Sequence, residues 1–224
     1  TKADLDSNKI LLSSISKITP HVPILSEEEF IEWDTRKNWE TYWLIDPLDG
    51  TKEFIKKNDE FTINIALIEY NQPVLGIIYA PAFGSLFFSK KNNGSYKIYT
   101  KNNLNTFKNS EKISVKYTNN EKIRVIGSRS HSNIAFDNWV KKKFTNFEII
   151  EKGSSLKFCE IAEGKADIYP RFGPTSEWDI AAGHIILLEA GGKLKTIDNK
   201  DLVYNKKEDI LNPHFFAYAH DALL

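Results

Sequence analysis

The sequence predicts an α+β fold, with antiparallel sheet in its first half and strand–helix alternation in its second. Three observations carry that reading. Closely spaced alternating apolar runs fill the first hundred residues, longer helical periods appear only later, and a polar Asn-, Lys- and Thr-rich stretch at 101–120 separates the two regimes. The boundary is placed in that stretch, giving residues 1–112 and 113–224.

Residues 5–18 carry Leu11, Leu12, Ile15 and Ile18 at helical spacing, stopped before Thr19-Pro20. Residues 22–25 form a short strand that runs into Ser26-Glu27-Glu28-Glu29. Residues 32–40 are polar around Trp33 and Trp39, a surface excursion or short helix. Tyr42-Trp43-Leu44-Ile45 reads as a buried strand. Pro47 cannot continue a central strand, so the chain is expected to leave the sheet after Asp46. Residues 61–70 alternate, with Phe61, Ile63, Ile65 and Leu67 on one face and Thr62, Asn64 and Ala66 on the other. Asn71-Gln72-Pro73 turns this strand into 74–79 as a hairpin. Further strands are expected at 85–89 and 95–100. The second half alternates strand 123–126, helix 132–144, strand 147–150, helix 155–163 and strand 166–169. Helix 179–190 is closed by Gly191-Gly192, a glycine C-cap, and 215–219 is the last strand, with some parallel pairing expected.

Composition narrows the function. Of 224 residues, 41% are hydrophobic and 27% charged, which fits an ordinary soluble globular protein. Lys and Arg together number 30, as do Asp and Glu, so the basic footprint of a nucleic-acid polymer binder is missing. Cys159 is the one cysteine, which excludes an intrachain disulfide and points to a reducing, cytoplasmic setting. No run has the length of an integral membrane segment, and no signal-peptide pattern opens the chain. Methionine is absent throughout, so the native start is expected upstream of Thr1.

The chemistry concentrates in Asp46-Pro47-Leu48-Asp49-Gly50-Thr51 and in Glu177-Trp178-Asp179. Two carboxylates three positions apart, at the mouth of a strand, raise each other's pKa unless a cation lies between them. Mg²⁺ takes oxygen ligands of this kind, together with substrate phosphate. An Asp-rich turn is the plain alternative. Glu27 also follows a strand and would join Asp46 and Asp49 at one sheet end if the two strands are neighbours. Glu28 and Glu29 are expected to be solvated. Asp179 opens a helix, where it is either an N-cap or a metal ligand. Gly50 and Thr51 lead into a helix start, whose backbone N–H groups suit a phosphate, and Thr51 adds a hydroxyl able to orient water. Carboxylates beside a phosphate cradle suggest metal-assisted hydrolysis of a phosphate ester. A P-loop, a paired-histidine zinc helix and a Gly-x-Ser-x-Gly nucleophile elbow are all absent. In covalent aspartyl-phosphate phosphatases one residue separates the two acids; here Pro47-Leu48 intervenes, which favours an activated water.

These residues resemble the paired signatures of the Mg²⁺-dependent, lithium-sensitive inositol monophosphatase superfamily. Lys52-Glu53-Phe54, Phe61-Thr62-Ile63-Asn64-Ile65-Ala66-Leu67, Gly153-Ser154-Ser155-Leu156-Lys157 and Ala166-Asp167-Ile168-Tyr169-Pro170-Arg171 are similar to its 3′(2′),5′-bisphosphate nucleotidase branch. The resemblance implies a layered α-β-α-β-α sugar-phosphatase fold and two or three Mg²⁺ ions. The implied ligands are Glu27, Asp46, the Leu48 carbonyl, Asp49 and Asp179. It implies that Gly50 and Thr51 contact phosphate and that Asp4 pairs with Thr51 to place the attacking water, Glu27 also acting in catalysis. Ser154, Lys157 and Arg171, with His131 and Asp179, would hold the rest of the substrate, solvated surface charge being the alternative for Lys157 and Arg171. Cys159 matches a core position. Members begin with a helix ahead of the Thr-x-Ala-Asp stretch, so Asp4 is expected at a fraying terminus.

The implied substrate is adenosine 3′,5′-bisphosphate, converted to AMP and phosphate as a by-product of sulfate assimilation is cleared. Inositol 1-phosphate or fructose 1,6-bisphosphate is the alternative within the same chemistry, and a non-catalytic nucleotide sensor is the alternative outside it. A homodimer and peripheral association with the inner membrane are left open.

Overall fold

The computed structural model describes residues 1–100, 107–117, 122–129 and 134–224. The first sheet has seven strands in chain order: β1 (Ile24–Ser26), β2 (Thr41–Asp49), β3 (Thr62–Glu69), β4 (Gln72–Ala80), β5 (Ser85–Lys90), β6 (Ser95–Tyr99) and β7 (Glu111–Ile113). β1 pairs with β2 in parallel, and every other neighbour pair is antiparallel. The second sheet is built from β8 (Ile123–Ser128), β9 (Phe147–Lys152), β10 (Ile168–Arg171), β11 (Lys193–Thr196) and β12 (Phe215–Tyr218), in the order β11-β12-β10-β8-β9. β8 lies parallel to both β9 and β10, and β12 runs antiparallel to its neighbours.

Six α-helices complete the described chain: α1 (Lys2–Ile18), α2 (Trp33–Arg36), α3 (Thr51–Lys56), α4 (Ile134–Lys143), α5 (Leu156–Ala162) and α6 (Glu177–Glu189). α1 lies against β2, and Ser7 Oγ donates to the Pro47 carbonyl at 2.9 Å. α6 packs on β2 to β6 of the first sheet, and also on α5 and β11. Residues 180–187 of α6 are all buried, as expected for a helix enclosed on every side. Phe158 on α5 stacks on Phe215 of β12 and meets Tyr169 of β10 edge-on, so α5 seats on the second sheet. Trp139 of α4 stacks on Phe216, the neighbouring β12 residue. Adjacent strand residues face opposite ways, which puts α4 outside. The layers are therefore α1, first sheet, α5 with α6, second sheet, and α4, the α-β-α-β-α arrangement. No helix among the described residues is long and apolar enough to cross a membrane.

Close approach holds the middle layer. A Cβ on Gly76 of β4 would lie 2.6 Å from the Ala182 carbonyl oxygen of α6, and one on Gly183 would lie 2.4 Å from the Phe158 ring. α6 closes in a Schellman motif: Gly192 N–H bonds the Leu187 carbonyl and Gly191 N–H the Leu188 carbonyl, with Gly191 at φ +93°.

Two expectations, on β2 and on α1, need correction, and two features, the buried face of β3 and the strand β11, were not foreseen. β2 does not leave the sheet at Pro47: it continues to Asp49, with a register shift between Asp46 and Asp49 where one extra residue faces β3. β1 stops opposite Ile45, so Pro47 has no ladder partner on that side and its missing N–H disrupts nothing. The fully buried face of β3 is the small and polar one, Thr62, Asn64, Ala66 and Ile68, while Ile63, Ile65 and Leu67 are only half-buried. Ile18 is exposed, and the buried stripe of α1 begins with the polar Asp4 and Asn8. β11 was missed because Lys193-Leu194-Lys195-Thr196 has too few apolar residues to register as a strand.

Candidate active site

The acids come from three separate segments. Glu27 follows β1, and its N–H donates to the Ile45 carbonyl at 3.1 Å, which carries the parallel β1–β2 pairing one step further. Asp46 sits on β2 just before the bulge, and its Oδ1 accepts the Leu48 N–H at 3.0 Å. Asp179 is the third residue of α6 rather than its N-cap. Ser176 is the cap, and Asp179 Oδ2 accepts the Ser176 N–H at 2.8 Å in a capping box. The backbone thus orients one Asp179 oxygen and leaves the other for the cleft. Glu27, Asp46 and Asp179 present oxygens that all lie within 4.8 Å of one another. Asp49 stands beside this trio, its Oδ2 accepting from Asn64 Nδ2 at 3.4 Å.

These acids are electrostatically unsatisfied on their own. Asp46 is pushed well above the usual carboxylate range, first by burial and then by the charges of Asp49 and Glu27. Burial and Asp49 raise Asp179 to about 7. Glu27 and Asp49 are raised too, mainly by burial. An oxygen-only donor set, without His or Cys, fits a hard divalent cation, whose charge would remove the mutual repulsion.

The acids open onto a cleft of about 460 Å³ lined by Glu27, Asp49, Gly50, Thr51, Ser154, Lys157, Arg171 and Asp179, among others. Gly50 takes φ +87° as N-cap of α3, a turn only glycine adopts freely. Thr51 Oγ1 lies 3.4 Å from Asp4 Oδ1 and 3.5 Å from the Leu48 carbonyl. Asp4 is not in a fraying end: it is 5% exposed within α1. Asn8, one turn on, accepts the Ser26 hydroxyl at 2.7 Å, fixing α1 beside the residue that precedes Glu27.

Lys157 is not surface charge. It is 8% exposed on α5, its Nζ donates to the Ser154 carbonyl at 2.6 Å, and burial lowers its pKa to about 8, against the pull of Asp49. Arg171 is half-buried at the end of β10; its Nη2 donates to the Pro174 carbonyl at 2.7 Å. Two buried polar atoms in the cleft wall lack a partner, Ser154 Oγ and Arg171 Nε, and Ser154 holds a left-handed φ of +46°. Unpaired buried donors and backbone strain mark places where a ligand completes the hydrogen bonding. His131 lies outside the described residues. Cys159 is buried, and burial raises its thiol well above the ordinary range, so it is inert core.

Glu177 turns away from the trio, both of its oxygens accepting the Asn205 N–H. Sequence reasoning missed Glu60, Asn64 and Ser155 as supports of the site. The signal for Asn64 was the polar face of β3, read there only as alternation; Glu60 and Ser155 lie off that strand and carried no local signal.

A model of the inositol monophosphatase family matches residues 1–223. The chain belongs to this family. Among curated family members, it is 45% identical over 221 residues to the 3′(2′),5′-bisphosphate nucleotidase CysQ of Buchnera aphidicola, covering 98% of this chain and 80% of that protein. It is 41% identical over 215 residues to CysQ of Salmonella typhimurium, covering 96% and 83%. The solved structure of CysQ from Bacteroides thetaiotaomicron, a bacterial member of the family, superposes with a TM-score of 0.84 at 42% identity, covering 92% of this chain and 81% of that one.

Proposed function

We propose that this chain is a Mg²⁺-dependent 3′(2′),5′-bisphosphate nucleotidase that removes the 3′-phosphate of adenosine 3′,5′-bisphosphate, leaving AMP and phosphate. The observation that carries the reading is the convergence of Glu27, Asp46 and Asp179 beside a cleft that Lys157 and Arg171 also line. Relatives over 40% identical across nearly the whole chain bear the nucleotidase name. Dependence on magnesium is a property of the family.

Glu27, Asp46, Asp49 and Asp179, with the Leu48 carbonyl, would hold two or three Mg²⁺ ions. When bound, these ions neutralise the acid cluster, polarise the phosphoryl group and favour ionisation of the attacking water. The rest falls to the chain's own groups. Thr51 donates its hydroxyl to Asp4, so its oxygen lone pair is free to accept a hydrogen bond from the water and aim it at phosphorus. The water oxygen forms the new P–O bond as the bond to the 3′-oxygen breaks in line. One water proton passes to the Glu27 carboxylate and the other stays on the new phosphate oxygen; the departing 3′-oxygen takes a proton from a solvent water in the open cleft, and Glu27 returns its proton to solvent. The turn at Gly50 and Thr51 meets the phosphate being cut, while Ser154, Lys157 and Arg171 meet the 5′-phosphate, for which charged donors are apt.

Purified protein given adenosine 3′,5′-bisphosphate and Mg²⁺ should release phosphate with higher kcat/KM than on inositol 1-phosphate or fructose 1,6-bisphosphate. Asp49→Asn should lose most of that rate. Equal turnover by the Asn variant removes the mechanism, and a preference for inositol 1-phosphate removes the substrate.

A further inference from the structure

Glu60, Thr62 and Asn64 stand at alternate positions on one face of β3 and its approach, exposed by only 7%, 0% and 1%. All three reach the same turn, residues 153–155 between β9 and α5. Glu60 Oε2 accepts the Gly153 N–H at 2.8 Å. Ser155 Oγ donates to Asn64 Oδ1 at 2.7 Å, which leaves Thr62 Oγ1, 2.8 Å away, as donor to Ser155. The first sheet thus grips a turn of the second through a row of buried polar groups.

Glu60 touches both turns that face the cleft. Its carbonyl oxygen lies 3.1 Å from where a Cβ on Gly50 would sit and 3.0 Å from the same position on Gly153. Glycine at both positions is what lets the two turns close on Glu60. Beyond Gly153 come the left-handed Ser154 and, bonded to its carbonyl, Lys157 Nζ. A carboxylate this buried requires a cation. Arg129, directly after β8, supplies it with two parallel bonds: Nε to Oε2 at 3.0 Å and Nη2 to Oε1 at 3.1 Å. Lys152 Nζ stands 3.9 Å from Glu60 Oε1 and is bridged to Glu160 at 3.0 Å.

We propose that Glu60, clamped by Arg129, is a positioning residue that sets the separation between the turn at Asp49 and Gly50 and the turn carrying Ser154 and Lys157. It thereby tunes the grip on a second phosphate of the substrate. The assignment rests on the nucleotidase reading for the parts played by Ser154 and Lys157. Glu60 meets neither substrate nor cation itself; it acts through the Gly153 N–H and through contact with the Gly50 turn.

The test uses the full chain with Glu60→Ala, Glu60→Gln, Arg129→Ala and the Glu60→Ala/Arg129→Ala double variant at saturating Mg²⁺. Each is assayed on adenosine 3′,5′-bisphosphate and on 3′-AMP, which has the same leaving group but no 5′-phosphate. Glu60→Ala should raise KM for the bisphosphate about tenfold, the equivalent of one lost charge-assisted hydrogen bond. Its kcat, and its KM for 3′-AMP, should stay within about threefold of wild type. Glu60→Gln keeps an acceptor for the Gly153 N–H and should recover part of the loss. Arg129→Ala should resemble Glu60→Ala, with the double variant little worse than either, since both break one device. Equal losses on both substrates, or a lowered melting temperature with KM unchanged, overturn the proposal. A crystal structure of Glu60→Ala, which takes away the acceptor for the Gly153 N–H, reads the geometry without reference to any substrate. A displaced 153–155 turn upholds the clamp even if wild type turns over neither nucleotide and the nucleotidase reading fails. An unmoved turn overturns it whatever the activity.

Discussion

Asp46 at the bulge of β2 and Asp179 in the first turn of α6 bring carboxylate oxygens within 4.8 Å of each other across two distant parts of the chain. Both titrate above the ordinary carboxylate range, and burial is the first cause for each. The folded state therefore works against its own site until a cation arrives.

That opposition is measurable. A carboxyl whose folded pKa is raised gives stability that is present below its unfolded pKa and lost as pH rises through the folded one. For Asp179 the window runs from about 4 to about 7. Chelator-treated protein should melt lower at pH 8 than Asp46→Asn under the same conditions, because the amide carries no buried charge. Mg²⁺ at about 100 times its Kd should stabilise wild type by about 2.7 kcal/mol, and the variant by far less. Calorimetric melts with and without Mg²⁺ check both signs.

Lys157→Met keeps the length of the side chain and removes its charge. KM for the bisphosphate should rise about 10- to 100-fold, in line with about 1.5–3 kcal/mol for hydrogen bonds to charged groups. KM for 3′-AMP should change little. Initial-rate kinetics on the two nucleotides separate this from a general loss of activity.

His184, buried on α6 with Nδ1 2.9 Å from the Tyr204 hydroxyl, is held down to about 4 by burial. A depressed folded pKa means the unfolded chain binds the proton first, so stability falls as pH drops from about 6.5 to about 4. The difference of about 2.5 pH units sets an upper bound of about 3 kcal/mol. His184→Gln, which retains an amide for Tyr204, should lose less stability than wild type over that interval. Urea unfolding at pH 7 and pH 4.5 reads the difference.

Gly76→Ala places a methyl carbon against backbone, with the Ala182 oxygen at 2.6 Å and the Ile185 side chain at 2.4 Å. Backbone cannot rotate away, so α6 must shift or the strand must bow. The expected loss is about 1–3 kcal/mol, the usual range for an overpacked contact. Because α6 carries Asp179, the half-saturating Mg²⁺ concentration should rise as well. Denaturant titration and Mg²⁺-dependent rates measure the two effects.

The acid motif was legible because its residues are unusual for a turn and nearly contiguous: Asp46, Asp49, Gly50 and Thr51 could be read directly, and Trp178-Asp179 by resemblance. The layered arrangement also came from that resemblance, since periodicity alone gave only two sheet-bearing halves. What stayed hidden depended on partners distant in sequence. Thr62 and Asn64 form the buried face of β3 because a turn from the other sheet meets their polar groups, and no local pattern encodes that. Pro47 was misread since the rule against proline in a central strand assumes neighbours on both sides, and β1 ends too early to be one. Arg36 looked like surface, yet it is buried with Nη1 2.6 Å from Asn205 Oδ1, a contact that exists only once the late loop folds back.

α6 lies between the two sheets with its first turn in the acid cluster and its flank against β4 and α5. A hinge that parted the sheets would carry α6, and Asp179 with it, along with the first sheet and strip the helix of the cover it has from α5 and β11. Baring that apolar surface would be costly, so adjustment of the turns around the cleft is the cheaper route for a substrate to enter than separation of the sheets.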